Sequence, residues 1–441
     1  MLRAYPHETT VDAGGQLRLH VLTDATRYWV RLERWNNVCD VILEAGPYQG
    51  DDVRIIVPAT APAGAYVARF RTDGKTNTRG GPTDTTPDAR WGTALFVVRA
   101  PSRARVLVNL PLFTYHAYNV AHVDGTLGAE EGECLYSGFR SVSLHRPGGG
   151  TGGHPWDEVN ADAYDATSPR QTFAHWDLPA LAWFAREGIA VDVCTDLDLH
   201  RGDAPLERYA LLCSFGHNEY WTRETRAHVE AFLEEGGNVG FFGGNTCWFR
   251  VRYDEASRNM TRDGKWSDDD PEDALTGLSF RCGGGKWKGD RPPAGYTVEN
   301  AAHPLLANAG LQDGDVVGAA VRVIGYECDG VDPKHAPPGL TILARASLAH
   351  WDVTDGGGDI VPSGHAAMVT FARGAGRVVN VGSTDWSRAR DRFTDRGHHA
   401  IRRRPAGRTV ASKRRGVLPA GPSFMALAAQ HDREAGLRHA R

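Results

Sequence analysis

Residues Tyr209 to Phe249 read YALLCSFGHNEYWTRETRAHVEAFLEEGGNVGFFGGNTCWF. The apolar run Ala210, Leu211, Leu212, Cys213 and Phe215 has the length of a buried strand, and Gly216-His217-Asn218-Glu219-Tyr220 reads as a turn. Apolar residues then recur at three and four spacing (Val229, Phe232, Leu233) up to Gly236-Gly237, which predicts a helix closed by glycine. A second apolar strand from Asn238 to Phe242 ends in Gly243-Gly244-Asn245. Strand, helix and strand make a βαβ unit, and in open α/β sheets chemistry gathers beyond the carboxyl ends of the strands. His217, Glu219 and Asn245 stand at those ends. A lone Asn or His there more often satisfies turn backbone, but three polar groups at two strand ends are harder to account for by capping alone.

Working outward, residues 1–100 show alternating runs such as Leu17 to Val21 and Tyr28 to Leu32, broken by Pro/Gly turns. They predict an all-β sandwich of immunoglobulin type. From Arg103 the period changes. Arg105 to Leu110 reads as a first buried strand, a long polar and aromatic loop follows to about His175, and a helix over 178–187 feeds a strand over 189–194. Residues 101–387 are therefore expected to form a mainly parallel α/β domain with right-handed crossovers. Residues 250–295 read as an insertion without clear period. Strands are expected over 321–326, 340–344, 367–371 and 377–381, the last two as a hairpin about Ala372 to Gly376.

The 441 residues carry a net charge of −4, which gives no reason to invoke nucleic acid or an anionic membrane. No stretch approaches the roughly 20 apolar residues of a membrane span, and the first residues lack a signal-peptide core, so a cytoplasmic location is expected. Seven scattered cysteines without a CxxC pair indicate neither a disulfide framework nor a thiolate zinc site. The tail 388–441 holds thirteen arginines and one lysine against four acids, a net of +10, so the rest of the chain carries −14. It reads as disordered or as translated out of frame.

The turn at Gly216 is not a nucleophile elbow, because its tip holds His217-Asn218-Glu219 where Ser or Cys would be exposed. What it offers is a carboxylate, an imidazole and a phenol within four residues, groups that ligate metals or exchange protons. A second cluster, Thr114-Tyr115-His116-Ala117-Tyr118-Asn119, follows the first parallel strand, and Gly325-Tyr326-Glu327-Cys328-Asp329-Gly330 is an acidic turn. Each has a plain alternative, covering a sheet edge or solvating a loop. No HExxH, P-loop or GxGxxG competes.

The runs TYHAYN, TDLDLH, GHNEYW, FFGGNTCW, GYECDG and GSTDW, in this order, resemble the carboxyl-terminal domain of the N,N-dimethylformamidase large subunit and its relatives, over about 94–386. The APAGAYVARF run resembles the β-sandwich that precedes it in that family. The resemblance implies a glutamine-amidotransferase-like α/β fold and a mononuclear Fe3+ held by two tyrosines and a glutamate. By motif position Glu219 is the carboxylate ligand and Tyr118 one phenolate, with His217, Asn245 and Glu327 as the surrounding polar groups that move protons or donate to an oxyanion. For the second tyrosine, the place after Arg146-Pro147 holds Gly148-Gly149-Gly150, which leaves Tyr136 and Tyr164 as substitutes. Two phenolates and a carboxylate suit a small trivalent cation. The function so implied is hydrolysis of the C–N bond of a small N-substituted amide, in a homo-oligomer that could also need a small subunit. A non-catalytic scaffold with a degenerate metal site is the alternative, and a cysteine amidotransferase using Cys213 or Cys247 ranks behind both.

Overall fold

The structure, a computed structural model, describes residues 2–72, 92–128, 134–152, 170–286, 293–307, 309–348 and 364–387; Tyr164 and the basic tail 388–441 lie outside them. The chain forms two compact units. One takes Met1–Tyr209, His217–Ala231 and Cys247–Asp268, and the other Ala210–Gly216, Phe232–Thr246 and Asp269–Arg441.

The first unit begins with two sheets. Leu2–Pro6, Gln16–Thr23 and Asp52–Ile56 form an antiparallel three-stranded sheet. Thr10–Asp12, Thr93–Arg99, Gly64–Arg71, Tyr28–Trp35 and Cys39–Tyr48, in that order, form a five-stranded one. Period-2 alternation sorts the side chains: Leu17, Leu19, Val21, Val53 and Ile55 are buried with Tyr28, Val30, Leu32, Phe70 and Phe96 in one core, while Arg18, His20, Asp52 and Arg54 alternate with them on the other face.

Later in this unit Val106–Leu110 pairs in parallel with Val191–Thr195, fed by the helix Leu178–Arg186. Thr195 ends the strand and caps the helix Asp196–Arg201. Its hydroxyl accepts from the Asp198 N–H at 3.2 Å, and the Asp198 carboxylate accepts from the Thr195 N–H at 2.8 Å. That capping box is what the TDLDLH run builds. A small sheet of Ser141–Ser143, Asn259–Lys265, Phe249–Asp254 and Tyr220–Trp221 completes the unit, so part of the stretch read as an insertion without period is an antiparallel hairpin.

The expected mainly parallel α/β domain of glutamine-amidotransferase-like type is not what the chain forms. Among the described residues strands far outnumber helices, with 23 strands and six α-helices. In the second unit the strands run in the order Leu211–His217, Asn238–Gly244, Gly376–Asn380, His365–Arg373, Thr341–Ser347, Tyr296–Val298, Val316–Val317. Asn238–Gly244 is parallel to Gly376–Asn380, but from there to Val316–Val317 each neighbouring pair is antiparallel. For the hairpin of His365–Arg373 and Gly376–Asn380 the reason is connection length. A parallel crossover needs a dozen residues or more, usually with a helix, whereas Arg373 pairs directly with Gly376 across a tight turn that can only reverse the strand. The helical period of residues 223–234 does not recur downstream. The strand expected over 321–326 is instead a 3₁₀ turn at Ala319–Val321 followed by the strand Glu327–Gly330.

Because alternation places Leu19 at 0% exposure in the first core, L19A is expected to cost about 2–5 kcal/mol in denaturant unfolding, against roughly 0.5 kcal/mol or less for R54A on the outer face. Equal midpoints for the two variants would refute the assigned faces.

Candidate functional site

The GHNEYW turn is held by a threonine. Thr114, in the short helix Leu112–Ala117, accepts on its hydroxyl from the Glu219 N–H at 2.9 Å and the Tyr220 N–H at 3.2 Å. On the other side the Asn218 carbonyl accepts from the Cys247 N–H at 2.9 Å and the Trp221 indole at 3.0 Å, and the Glu219 carbonyl accepts from the Phe249 N–H at 3.0 Å. The backbone of the turn is thereby tied to the Tyr118 segment and to the Cys247–Phe249 segment.

This anchoring brings three of the expected residues together. Tyr118 donates its hydroxyl to Glu219 Oε2 at 2.8 Å, and His217 Nε2 lies 3.5 Å from that oxygen. All three are buried, Glu219 at 1% exposure. His217 Nδ1 lies 2.9 Å from Gln171 Oε1, a contact that orients the ring and turns Nε2 toward Glu219. The Tyr118 ring lies 5.5 Å from the His217 ring, stacks on Tyr136 at 4.9 Å and meets Tyr220 edge-on at 6.1 Å. Tyr220 is fully buried, and its hydroxyl has no hydrogen-bond partner among the described residues. Burial, reinforced by the Glu219 charge, holds that phenol well above its ordinary pKa.

The glycine run is explained by packing. Arg146 donates to the Ala121 carbonyl at 3.0 Å and to the His116 carbonyl, while Asn119 Nδ2 donates to the Pro147 carbonyl at 2.7 Å, so Arg146-Pro147 is clamped along the Tyr118 segment. The next residues then press on the His116 ring: a Cβ on Gly149 would lie 2.3 Å from its Nε2. There is no room for a side chain at that point. Of the two substitute tyrosines, Tyr136 is the one seen against Tyr118, with its N–H donated to the Ala117 carbonyl at 3.2 Å.

Asn245 and Glu327 belong to the second unit. Asn245 Nδ2 donates to Glu327 Oε2 at 3.3 Å, and Glu327 exchanges backbone bonds with Thr384, its N–H to the hydroxyl at 3.2 Å and its carbonyl from the Thr384 N–H at 3.1 Å. The Gly244 backbone runs so close that a Cβ there would sit 2.4 Å from the Glu327 carbonyl oxygen. Sequence reading missed the third member. Asp329 accepts from the Asn245 N–H at 2.8 Å and the Thr246 N–H at 3.2 Å, and burial raises its pKa to about 7 despite those two donors. The signal was there in GYECDG, where the carboxylate two residues beyond Glu327 on a strand falls on the same face.

Gly149→Ala is expected to destabilise the protein by about 1–3 kcal/mol, since the buried His116 ring must move. Unchanged thermal unfolding would show that the ring has slack. For Asp329, a folded pKa near 7 above an ordinary value of 3.8 means that the folded state holds the extra proton between them, so its stabilising effect is full below about pH 4 and lost as pH rises through 7. An amide cannot titrate, so the stability deficit of Asp329→Asn relative to the native protein is expected to be larger at pH 5 than at pH 8.5. A deficit independent of pH would contradict the raised pKa.

No curated protein matches the chain. Among solved structures it is similar to a β-galactosidase from Bacillus circulans sp. alkalophilus (11% identity, TM-score 0.34, 68% of this chain and 31% of that one) and to an exo-β-1,4-mannosidase from Opitutaceae bacterium strain TAV5 (11%, 0.31, 67% and 34%). The chain spans about a third of the length of these structures, and likenesses at such TM-scores carry no argument. No helix among the described residues is long and apolar enough to cross a membrane. The model of one family covers residues 50–395, which include the Tyr118, HNEYW and GYECDG segments, and the chain therefore belongs to the N,N-dimethylformamidase beta subunit-like, C-terminal, family.

Proposed function

We propose that the chain hydrolyses the C–N bond of a small N-substituted amide at the Tyr118–His217–Glu219 cluster. The observation that carries this reading is the convergence of a phenol and an imidazole on one buried carboxylate oxygen, Glu219 Oε2, in a member of the dimethylformamidase-like family.

The donor set suits a hard cation. Tyr118 and Glu219 offer oxygen ligands already within 2.8 Å of each other, and burial at 5% and 1% exposure limits competition from water. Together they would hold an iron(III) ion, which when bound supplies Lewis-acid polarisation of a carbonyl and lowers the pKa of water. The rings of Tyr136 and Tyr220 pack against Tyr118, stacked and edge-on.

The remaining work falls to this chain's own groups. Glu219, held at its backbone by Thr114, keeps its carboxylate fixed against Tyr118. Gln171 orients the His217 ring with Nε2 toward Glu219, and His217 would relay a proton from an attacking water to the departing amine. The burial of all three side chains strengthens these charge interactions relative to bulk water. The family description names a beta subunit, which supports assembly with further chains.

Purified protein is expected to contain about one iron per chain, to show a tyrosinate-to-iron absorption band and to release dimethylamine from N,N-dimethylformamide. Glu219→Ala is expected to lose iron, colour and at least about a hundredfold in rate together. Full iron content in that variant would overturn the ligand assignment, and native protein without metal or hydrolysis would favour a scaffold with a degenerate site.

A further inference from the structure

Outside that cluster, two groups of three His, Cys, Asp or Glu side chains bring ligand atoms within 4.8 Å of one another among the described residues: His7, His20 and Asp52, and Asp273, Asp332 and His335. They differ in where a guanidinium sits. In the second group Arg281 reaches Asp273 Oδ2 at 3.0 Å and Asp332 Oδ2 at 3.7 Å, and the latter is the oxygen that His335 Nδ1 contacts at 2.8 Å. A fixed cation already occupies that centre. In the first group Arg18 takes only the outer oxygen, Asp52 Oδ2, at 2.8 Å, and both imidazoles face the other.

The first group follows from strand register. Tyr5 stands opposite His20, and His20 opposite Asp52, so the three side chains form a row on the face of the three-stranded sheet away from the core. His7 comes two residues after Tyr5 and its N–H continues the ladder to the Arg18 carbonyl at 3.0 Å, which carries its side chain to that same face. His7 Nε2 lies 3.1 Å, and His20 Nδ1 3.4 Å, from Asp52 Oδ1. Bonds of about 2.0–2.2 Å in a tetrahedron set ligand-to-ligand separations of about 3.3–3.6 Å; the two separations to Asp52 Oδ1 lie close to that range, and the His7 and His20 nitrogens lie within 4.8 Å of each other.

Supporting contacts hold the ligands in place. The Tyr5 ring packs on His20 at 4.9 Å and stacks on His145 at 5.7 Å, and His145 Nε2 contacts the His7 carbonyl at 3.1 Å. Arg18 orients the carboxylate so that one oxygen points inward, the arrangement that outer partners give to ligating carboxylates. Side-chain exposures of 18% for His7, 23% for His20 and 42% for Asp52 leave the row reachable from water.

We propose that His7, His20 and Asp52 form a binding site for a zinc-class divalent cation, with solvent in the fourth position. Two imidazoles and a carboxylate are a three-ligand set that suits zinc, in contrast to the phenol and carboxylate oxygens of the Tyr118–Glu219 cluster.

The test uses the full-length protein, stripped by chelator dialysis and titrated with Zn2+ against a chromogenic chelator, then with Co2+ monitored by visible absorption. The native protein is expected to bind one more equivalent of Zn2+ than His7→Ala, His20→Ala or the milder His20→Gln. Affinity at that equivalent should drop about a hundredfold or more, beyond the roughly 10–100-fold cost of losing an outer partner. The intense tetrahedral Co2+ bands should vanish in the variants, while unfolding without metal, iron content and amide hydrolysis stay as in the native protein. Equal Zn2+ stoichiometry and affinity in the native protein and all three variants would overturn the site, as would a native protein with no saturable Zn2+ binding.

Discussion

A carboxylate at 1% exposure has lost its water, and the fold around Glu219 is the answer to that loss. Burying a charge costs several kcal/mol unless partners replace the solvent. Tyr118 supplies a hydroxyl and His217 an imidazole, but neither could reach Glu219 if the turn were free to move. Thr114 removes that freedom by accepting two successive backbone N–H groups of the turn on one oxygen. Because Thr114 and Tyr118 lie four residues apart, on and just past one short helix, the same segment that pins the turn also delivers the phenol. Position and chemistry are thus set by a single local element.

The second unit solves a similar problem with backbone. Asp329 is buried and accepts from the N–H groups of Asn245 and Thr246. Asn245 adopts φ 52°, in the left-handed region that few non-glycine residues enter, and Asn is among the residues that tolerate it best. Two adjacent N–H groups can point at one carboxylate only if the chain turns sharply after the strand, and that turn requires Gly244 to pass against the Glu327 carbonyl without a side chain. Burial nevertheless wins over the two donors, which is why the Asp329 pKa ends near 7 and not below the ordinary carboxylate range.

Legibility in the sequence followed the range of the interactions. The strand, helix and strand of residues 209–249, the helix at 178–186 and the hairpin about residue 374 are written in local periods and turn residues, and each is present. The direction of the downstream strands is not local, and the βαβ period of one segment does not extend to the whole domain; only the tight turn between Arg373 and Gly376 enforces its antiparallel pairing by length. In the candidate site, Tyr118, His217 and Glu219 could be picked by residue type at strand ends. Gln171 and Thr114 could not, since what matters in them is a contact across 46 and 105 residues of sequence. Asp329 and Glu327 look alike in a turn, and what separates them is partners: Asp329 accepts two backbone N–H groups, whereas Glu327 accepts from the Asn245 side chain.

The two proposed sets of ligand groups in the first unit also differ in a way that donor chemistry alone would not require. Phenol and carboxylate oxygens suit a hard trivalent ion. Tyr118 and Glu219 are buried. Imidazole nitrogens hold a borderline divalent ion well with one face open to water, as three-ligand zinc sites show. His7, His20 and Asp52 lie on an outer sheet face at partial exposure. Burial depth and donor type therefore vary together across the two proposed sites, oxygens in the enclosed set and imidazoles in the open one.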